Sequence, residues 1–324
     1  MRLTFGALLF ALSFSAHAQQ QANKLPRLGY LTNDSPSTDL PRRAAFRQGL
    51  RDLGYIEGQN IAVEYRVGDG QIEKLSEMMD ELLRLKVDVI FVFTTSAVQV
   101  AKKATKEIPI VMGASGDPVA LGFVDSIARP GGNITGLSTT TGPEIFGKQL
   151  ELLKESVPKV NRVAALSNPV NVANVLQLKE TKTAAQALGL TLLTFEVKST
   201  TDIANAFAAM KKERAGALTV LSDPMLISQR IQIAELAVKN RLPAIYGVPE
   251  HAEAGGLLVY AASRLIIFRR ATTYVDKILK GAKPADLPIE QPIKFDFIIN
   301  LKAAKQIGLT IPPDMLARAD RVIK

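Results

Sequence analysis

Cysteine is missing from all 324 residues. That absence excludes disulfide bridges, thiol nucleophiles, zinc-thiolate sites and iron-sulfur clusters, and it removes the residue that a lipid anchor would need. Tryptophan is missing too, so any aromatic cage must draw on 13 phenylalanines and 6 tyrosines. Histidine occurs only as His17 and His251. Because His17 falls in an expected leader, His251 is the one imidazole left to act as a general base or metal ligand. It lies in "VPEHAEAGG", early in a predicted helix, and no G-x-S-x-G elbow accompanies it, so a surface or capping role is expected. Carboxylates are plentiful but not spaced as a metal set, and neither metal nor cofactor is expected.

Charge of one sign is in excess: formal net charge is +9, and loss of Arg2 with a leader leaves about +8. The basic residues form no block. They are interleaved with acids, as in Glu73, Lys74, Glu77, Asp80, Glu81, Arg84 and Lys86, which describes a solvated surface rather than a nucleic-acid or membrane footprint. The first eighteen residues follow a secretory pattern. Arg2 gives a positive start, Leu3 to Phe14 an apolar core, and Ala16-His17-Ala18 a cleavage site before Gln19. That core is about twelve residues long, and no later run approaches the roughly 20 needed to cross a bilayer. Export to a periplasm without a membrane span is the expectation.

What is present is an alternation. Strand-like runs at 28–32, 61–65, 88–93, 108–112 and 134–138 are separated by helical spacing such as Phe46, Leu50, Leu53 and Leu75, Met79, Leu82. Repeated βα units imply a parallel sheet, and the wholly apolar third run implies helices on both faces. After Gly142 the pattern restarts, with strands near 162–167, 191–195, 217–221, 243–246 and 257–260 and helices such as 172–188 and 226–240. A tail follows: a helix at 264–280, a Pro-rich stretch at 283–292, a strand at 295–300 and a last helix. With 47% hydrophobic residues the chain can fill two α/β cores. The tail is too short for a third domain and no flexible linker occurs, so several crossings between two lobes are expected.

Ligands of open parallel sheets bind beyond the carboxyl ends of the strands. There the sequence places Thr94-Thr95-Ser96, Ser115-Gly116-Asp117-Pro118, Ser167-Asn168-Pro169, Ser222-Asp223-Pro224 and Tyr246-Gly247-Val248. Each Asp-Pro or Asn-Pro can simply cap a helix. Together they point to a ligand held between the lobes. Hydroxyls at a helix start, beside free N–H groups, suit an anion such as a carboxylate, and Asp223 or Asp117 could then hold an ammonium. Tyr30 and Tyr246 are open to both a core and a stacking role. "GPEIFGKQ" nearly matches a phosphate loop, but Gln149 replaces the hydroxyl and Pro143 and Glu144 oppose phosphate, leaving an ordinary helix start. "RPGGNITG" precedes a strand and is a turn.

The stretches "FRQGLRDLGYIEGQNIAVEYR", "DVIFVFTTSAVQVAKKATKEIPIVMGASGDPVALGFVDSIARPGGNITGLS", "KQLELLKESVPKVNRVAALSNP", "RLPAIYG", "EAGGLLVY" and "VDKILKGAKPADLPIEQPIKFDFIINLKAAKQIGLTIP" resemble the TrpX-like periplasmic substrate-binding proteins of ABC transporters, relatives of tryptophan and tyrosine uptake components. The likeness runs from about Arg27 to the end. It implies a type I periplasmic-binding fold, α/β, with two Rossmann-like lobes of parallel strands and a three-crossover hinge. The lobes would comprise 25–138 with 264–292 and 139–263 with 293–324. It also implies ligand contacts on the inner loops, here Thr95, Ser96, Ser115, Asp117, Asn168, Asp223 and Tyr246. Two segments depart from the family: Thr94-Thr95-Ser96-Ala97, where many relatives carry a Gly-Thr-Pro-Ala-like sequence, and "YAASRLIIFRR", where a polar Gly-containing link is usual. Both touch the cleft or hinge, and the ligand stays open between an aromatic amino acid and another carboxylate.

The expected function is therefore that of a monomeric, periplasmic binding protein of an ABC importer. It would capture a small organic solute by hinge closure and hand it to a membrane permease, with no catalysis and no nucleic acid. A sensory module feeding a membrane receptor is the alternative. An exported hydrolase or isomerase on the same fold would need His251 or a buried carboxylate.

Overall fold

Val89–Phe93, VIFVF, is buried along its whole length and serves two cores at once. Val89, Phe91 and Phe93 enter one cluster and Ile90 and Val92 the other, as the two-residue period of a strand requires. A computed structural model describes residues 25–140 and 142–324. The leader expected over residues 1–18 lies outside them.

The first lobe runs β1 (Arg27–Thr32), α1 (Pro36–Asp52), β2 (Ala62–Val67), α2 (Leu75–Arg84), β3 (Val89–Phe93), α3 (Thr95–Ala104), β4 (Ile110–Ser115) and β5 (Ile134–Ser138). Its five strands are parallel in the order β2-β1-β3-β4-β5. α2 and α3 bury Leu75, Met79, Leu82 and Val98 on one face. α1 covers the other with Phe46 and Leu50. Tyr30 belongs to that core, its hydroxyl donating to Asp39 at 2.6 Å.

The second lobe continues with α4 (Glu144–Ser156), β6 (Arg162–Ser167), α5 (Val172–Ala187), β7 (Thr191–Glu196), α6 (Asp202–Lys212), β8 (Ala217–Val220), α7 (Pro224–Ser228), α8 (Arg230–Lys239), β9 (Ala244–Tyr246), α9 (Glu250–Glu253) and β10 (Leu258–Ala262). Next α10 (Arg264–Leu279) returns to the first lobe and packs along α1. Gly49 permits that approach, since a Cβ there would sit 2.7 Å from the Arg269 carbonyl. The chain then re-enters the second lobe as β11 (Phe295–Asn300), α11 (Leu301–Ile307), α12 (Pro313–Arg318) and β12 (Arg321–Ile323).

The second sheet has seven strands, β12-β11-β10-β9-β8-β6-β7. It is not wholly parallel: β10 and β11 are antiparallel. The cause is topological, because the chain leaves the sheet at the end of β10 and comes back at that same edge. The closing segment also differs from the single helix expected, forming two short helices and an edge strand. The chain passes between lobes three times, between β5 and α4, at Ser263 and over residues 291–294. Among the described residues no helix is long and apolar enough to cross a membrane.

β5 enters the hinge through a strained position. Gly136 has φ +126, and a Cβ there would meet the Met112 carbonyl oxygen at 2.2 Å. Gly136→Ala must distort the β4–β5 ladder and should lower the unfolding free energy by about 2–4 kcal/mol in urea denaturation. A loss below about 0.5 kcal/mol would show that the ladder yields freely.

Candidate functional site

Both sheets contain a point where successive strands lie on opposite sides of the first, leaving a crevice at their carboxyl ends. In the first lobe it falls between β1 and β3, where Asn33-Asp34 and Thr94-Thr95 leave the strands. Thr94 donates to Asn33 Oδ1 at 2.5 Å and caps α3 by accepting from Ala97 N at 3.4 Å. Its backbone lies at φ 88, ψ 143, a region costly for a β-branched residue, and such strain collects at ligand clamps. Thr95 Oγ1 accepts from Gly116 N at 3.3 Å and lies 3.5 Å from Ser115 Oγ, tying α3 to the end of β4.

The second lobe repeats the device between β6 and β8. Asn168 and Asn171 both donate to Asp223 Oδ2, at 3.3 and 2.9 Å, while Asp223 Oδ1 accepts from Leu226 N at 3.0 Å. Asn174 donates to the Ser222 carbonyl at 2.9 Å. These bonds fix the rim of the second sheet and leave the Ser222 hydroxyl at the cleft.

Between the rims lie two neighbouring cavities of about 60 and 50 Å³, which share Gly116, Thr139, Ala173, Gln177, Ser222 and Arg264. Each is well above the roughly 10–15 Å³ needed to admit a water, so together they leave room for a small solute. The larger is walled by Leu121, Ile145, Phe146 and Leu176, with Gln149, Asp117 and Glu180 as polar groups. The smaller is polar, with Asp34, Arg42, Thr94, Thr95 and Ser115 in its wall. Burial, then the charges of Asp117 and Glu144, raise the Glu180 pKa.

A charge cluster closes the inner end. Arg42, on α1, is fully buried. Its Nη1 donates to Asp34 Oδ2 at 2.5 Å, while Nε, at 3.0 Å, and Nη2 donate to Glu250 Oε1 on α9 of the other lobe. Burial pushes the Glu250 pKa up, but Arg42 and Arg264 more than offset it and hold the group at about 2. Arg264, the first residue of α10, donates to Ser222 Oγ at 2.9 Å and lies over the Phe93 ring, as Arg42 does. Among the described residues it has no carboxylate partner within ion-pair distance. Burial, then repulsion from Arg42, lower its pKa to about 10.

Of the seven residues expected from sequence, Thr95, Ser115 and Asp117 line the cleft. Ser96 is buried in the first turn of α3, and Asn168 is spent on Asp223 and on Val170 N. Asp223 is not in the wall of either cleft cavity: burial raises its pKa, and three donors occupy its two oxygens, as suits a helix cap. Tyr246 is in the core, stacked on His251 with centroids 4.4 Å apart. Among the three Asp/Asn-Pro segments only Asp223 starts a helix; Asn171 rather than Asn168 caps α5, and Asp117 holds a turn through Val119 N and Ala120 N, both at 3.0 Å. The strand-end rule also marks Asn33-Asp34 after β1. Arg42 was detectable as a charge on the buried stripe of α1, four residues before Phe46. Arg264, two residues past the end of β10, falls under the same rule and was overlooked, whereas Gln149 and Gln177 lie inside helices, where it does not look.

His251 is neither exposed nor capping. It is 1% exposed, and neither ring nitrogen has a hydrogen-bond partner. Burial lowers its pKa to about 3. Because the unfolded chain binds this proton near pH 6.5 and the folded one only near 3, His251 stabilises the fold fully above pH 6.5 and progressively less as pH falls toward 3. His251→Phe should remove about 1.4 kcal/mol per pH unit of stability slope between pH 6 and 4, measured by urea denaturation. An unchanged slope would show that the imidazole is protonated in the folded protein.

The sequence model of the family described as "ABC transporter substrate binding protein" matches residues 34–323. A "Tyrosine-binding protein" of Clostridioides difficile (strain R20291) is 25% identical over 276 residues, 85% of this chain and 79% of that protein. The crystal structure of an "ABC domain in complex with L-Trp from Streptococcus pneumonia" is 30% identical, with a TM-score of 0.85 over 93% of this chain and 100% of that one. A conserved domain protein from Vibrio cholerae O1 biovar El Tor is 27% identical, with a TM-score of 0.87 over 92% of this chain and 100% of that one. The two-lobed type I periplasmic-binding architecture is common to them. The chain belongs to the ABC transporter substrate-binding protein family, whose members bind solutes and are not enzymes.

Proposed function

We propose that this chain is the extracytoplasmic binding component of an ABC importer, taking an amino acid between its lobes and presenting it to a membrane permease. The observation that carries the reading is the cleft itself. Its polar end and its apolar end are each lined from both lobes, so a ligand touches both only when they are together. Such a ligand has different affinity for open and closed forms and shifts the population toward closure. The apolar walls, with Phe146 among them, suit an aromatic side chain, in line with the tyrosine and L-Trp named for the two relatives.

A cavity beside the connections is consistent with hinge movement. Behind the three connections lies a space of about 460 Å³, bordered by Leu137, Ser138, Ser263, Pro292 and Ile293. The Arg42–Glu250 pair joins the two lobes across the cleft and favours the closed form.

The test is a thermal-shift and calorimetric screen of the mature protein, stripped of bound solute by unfolding and refolding, against the amino acids, simple carboxylates and nucleosides. A solute at 100 times its Kd adds about 2.7 kcal/mol of stability. Binding confined to amino acids, strongest for aromatic ones, is expected; binding of nucleosides or neutral solutes alone would overturn the reading. In the same titration Glu250→Gln should weaken amino-acid binding about tenfold or more, because one lobe loses its hold on the buried guanidinium. Glu253→Gln, which removes only the exposed pair with Arg321, should change it less than twofold.

A further inference from the structure

The polar cavity has an unfilled requirement at each side. Asp34 is 1% exposed in its side chain; Oδ2 is taken by Arg42, but Oδ1 is buried with no donor. A carboxylate oxygen in that state costs more than a hydrogen bond is worth in water, so the site favours an added N–H. Arg264 presents the opposite case, a guanidinium with five N–H donors, of which Ser222 takes one and no carboxylate takes any. Both residues line the same cavity, and Phe93 lies beneath the Arg264 guanidinium.

Charge balance narrows the ligand further. Arg42 and Arg264 bring two positive charges to this end of the cleft, and Asp34 and Glu250 two negative ones. A simple carboxylate would leave the buried cluster net negative and a simple amine net positive. A zwitterion leaves it neutral and supplies both missing partners at once.

We propose that Asp34 and Arg264 form a clamp for the two charged groups of an α-amino acid, Asp34 taking the ammonium and Arg264 the carboxylate, with the side chain directed into the apolar cavity beside Phe146. This rests on the amino-acid reading above and replaces Asp223 and the α3 hydroxyls as the charged anchors. Thr95 and Ser115 remain neutral walls of the clamp.

The experiment is calorimetry of the full mature chain with the L-amino acid that binds most tightly among the twenty, alongside its decarboxylated amine and its deaminated acid. For L-tryptophan these are tryptamine and indole-3-propionate. On the wild-type protein each analogue should bind at least about 30-fold more weakly than the amino acid, the loss of one charge-assisted contact. Arg264→Gln should lower affinity for the amino acid to that for the amine while leaving the amine unaffected, and Asp34→Asn should do the same with respect to the acid. Either analogue binding within about threefold of the amino acid overturns the clamp, whether or not Asp34→Asn folds. So does an Arg264→Gln variant that still prefers the amino acid to the amine. If no amino acid binds the wild-type protein, the functional reading falls first and the clamp with it, a result separable from failure of the clamp alone.

Discussion

One buried guanidinium organises this molecule. Arg42 sits on the core-facing stripe of α1 and is fully buried, yet it holds Asp34 of its own lobe and Glu250 of the other. A charge removed from water costs several kcal/mol and is tolerated only when its partners are close and well placed. If the lobes separate, Arg42 loses one of its two carboxylates, so the pair ties burial inside one lobe to the position of the other. The two rims of hydroxyls and amides are arranged about this contact, as is the second arginine on Phe93.

The topology explains why the site lies there. Each sheet offers a crevice where strand order reverses, and the two crevices face each other because the chain is threaded through both lobes three times. α10 leaves the second lobe to pack against α1, and Gly49 lets the two helices approach closely. Arg264, at the start of that helix, is therefore set at the hinge and in the cleft at once.

Much of the fold was legible in the sequence because strand and helix periods are local. VIFVF could only be a strand buried on both faces, and the spacing of Leu75, Met79 and Leu82 could only be one face of a helix. The antiparallel β11 and the edge strand β12 were not legible, since they follow from where the chain re-enters a sheet rather than from any local pattern. At the site, the strand-end rule led to Thr95, Ser115 and Asp117, which line the cleft, but could not separate a cap from a cavity wall. Asp223 and Thr94 look alike in sequence; the first is saturated by three donors, and the second is strained at the cavity wall. Arg42 shows in the sequence only as a charge on a helix stripe, because its pairing is decided by a partner some 200 residues away.

Capture by closure predicts that the lobes approach when an amino acid binds, and the absence of cysteine makes such a movement directly measurable. Val119→Cys on the first lobe, between the cleft-lining Asp117 and Leu121, and Val175→Cys on the second, beside Leu176, are both at exposed positions and give a doubly spin-labelled protein with no background label. Pulsed electron spin resonance should show the distance between labels shorten and its distribution narrow when a saturating amino acid is added. An unchanged distribution, with the same amino acid bound by calorimetry, would contradict closure as the means of capture.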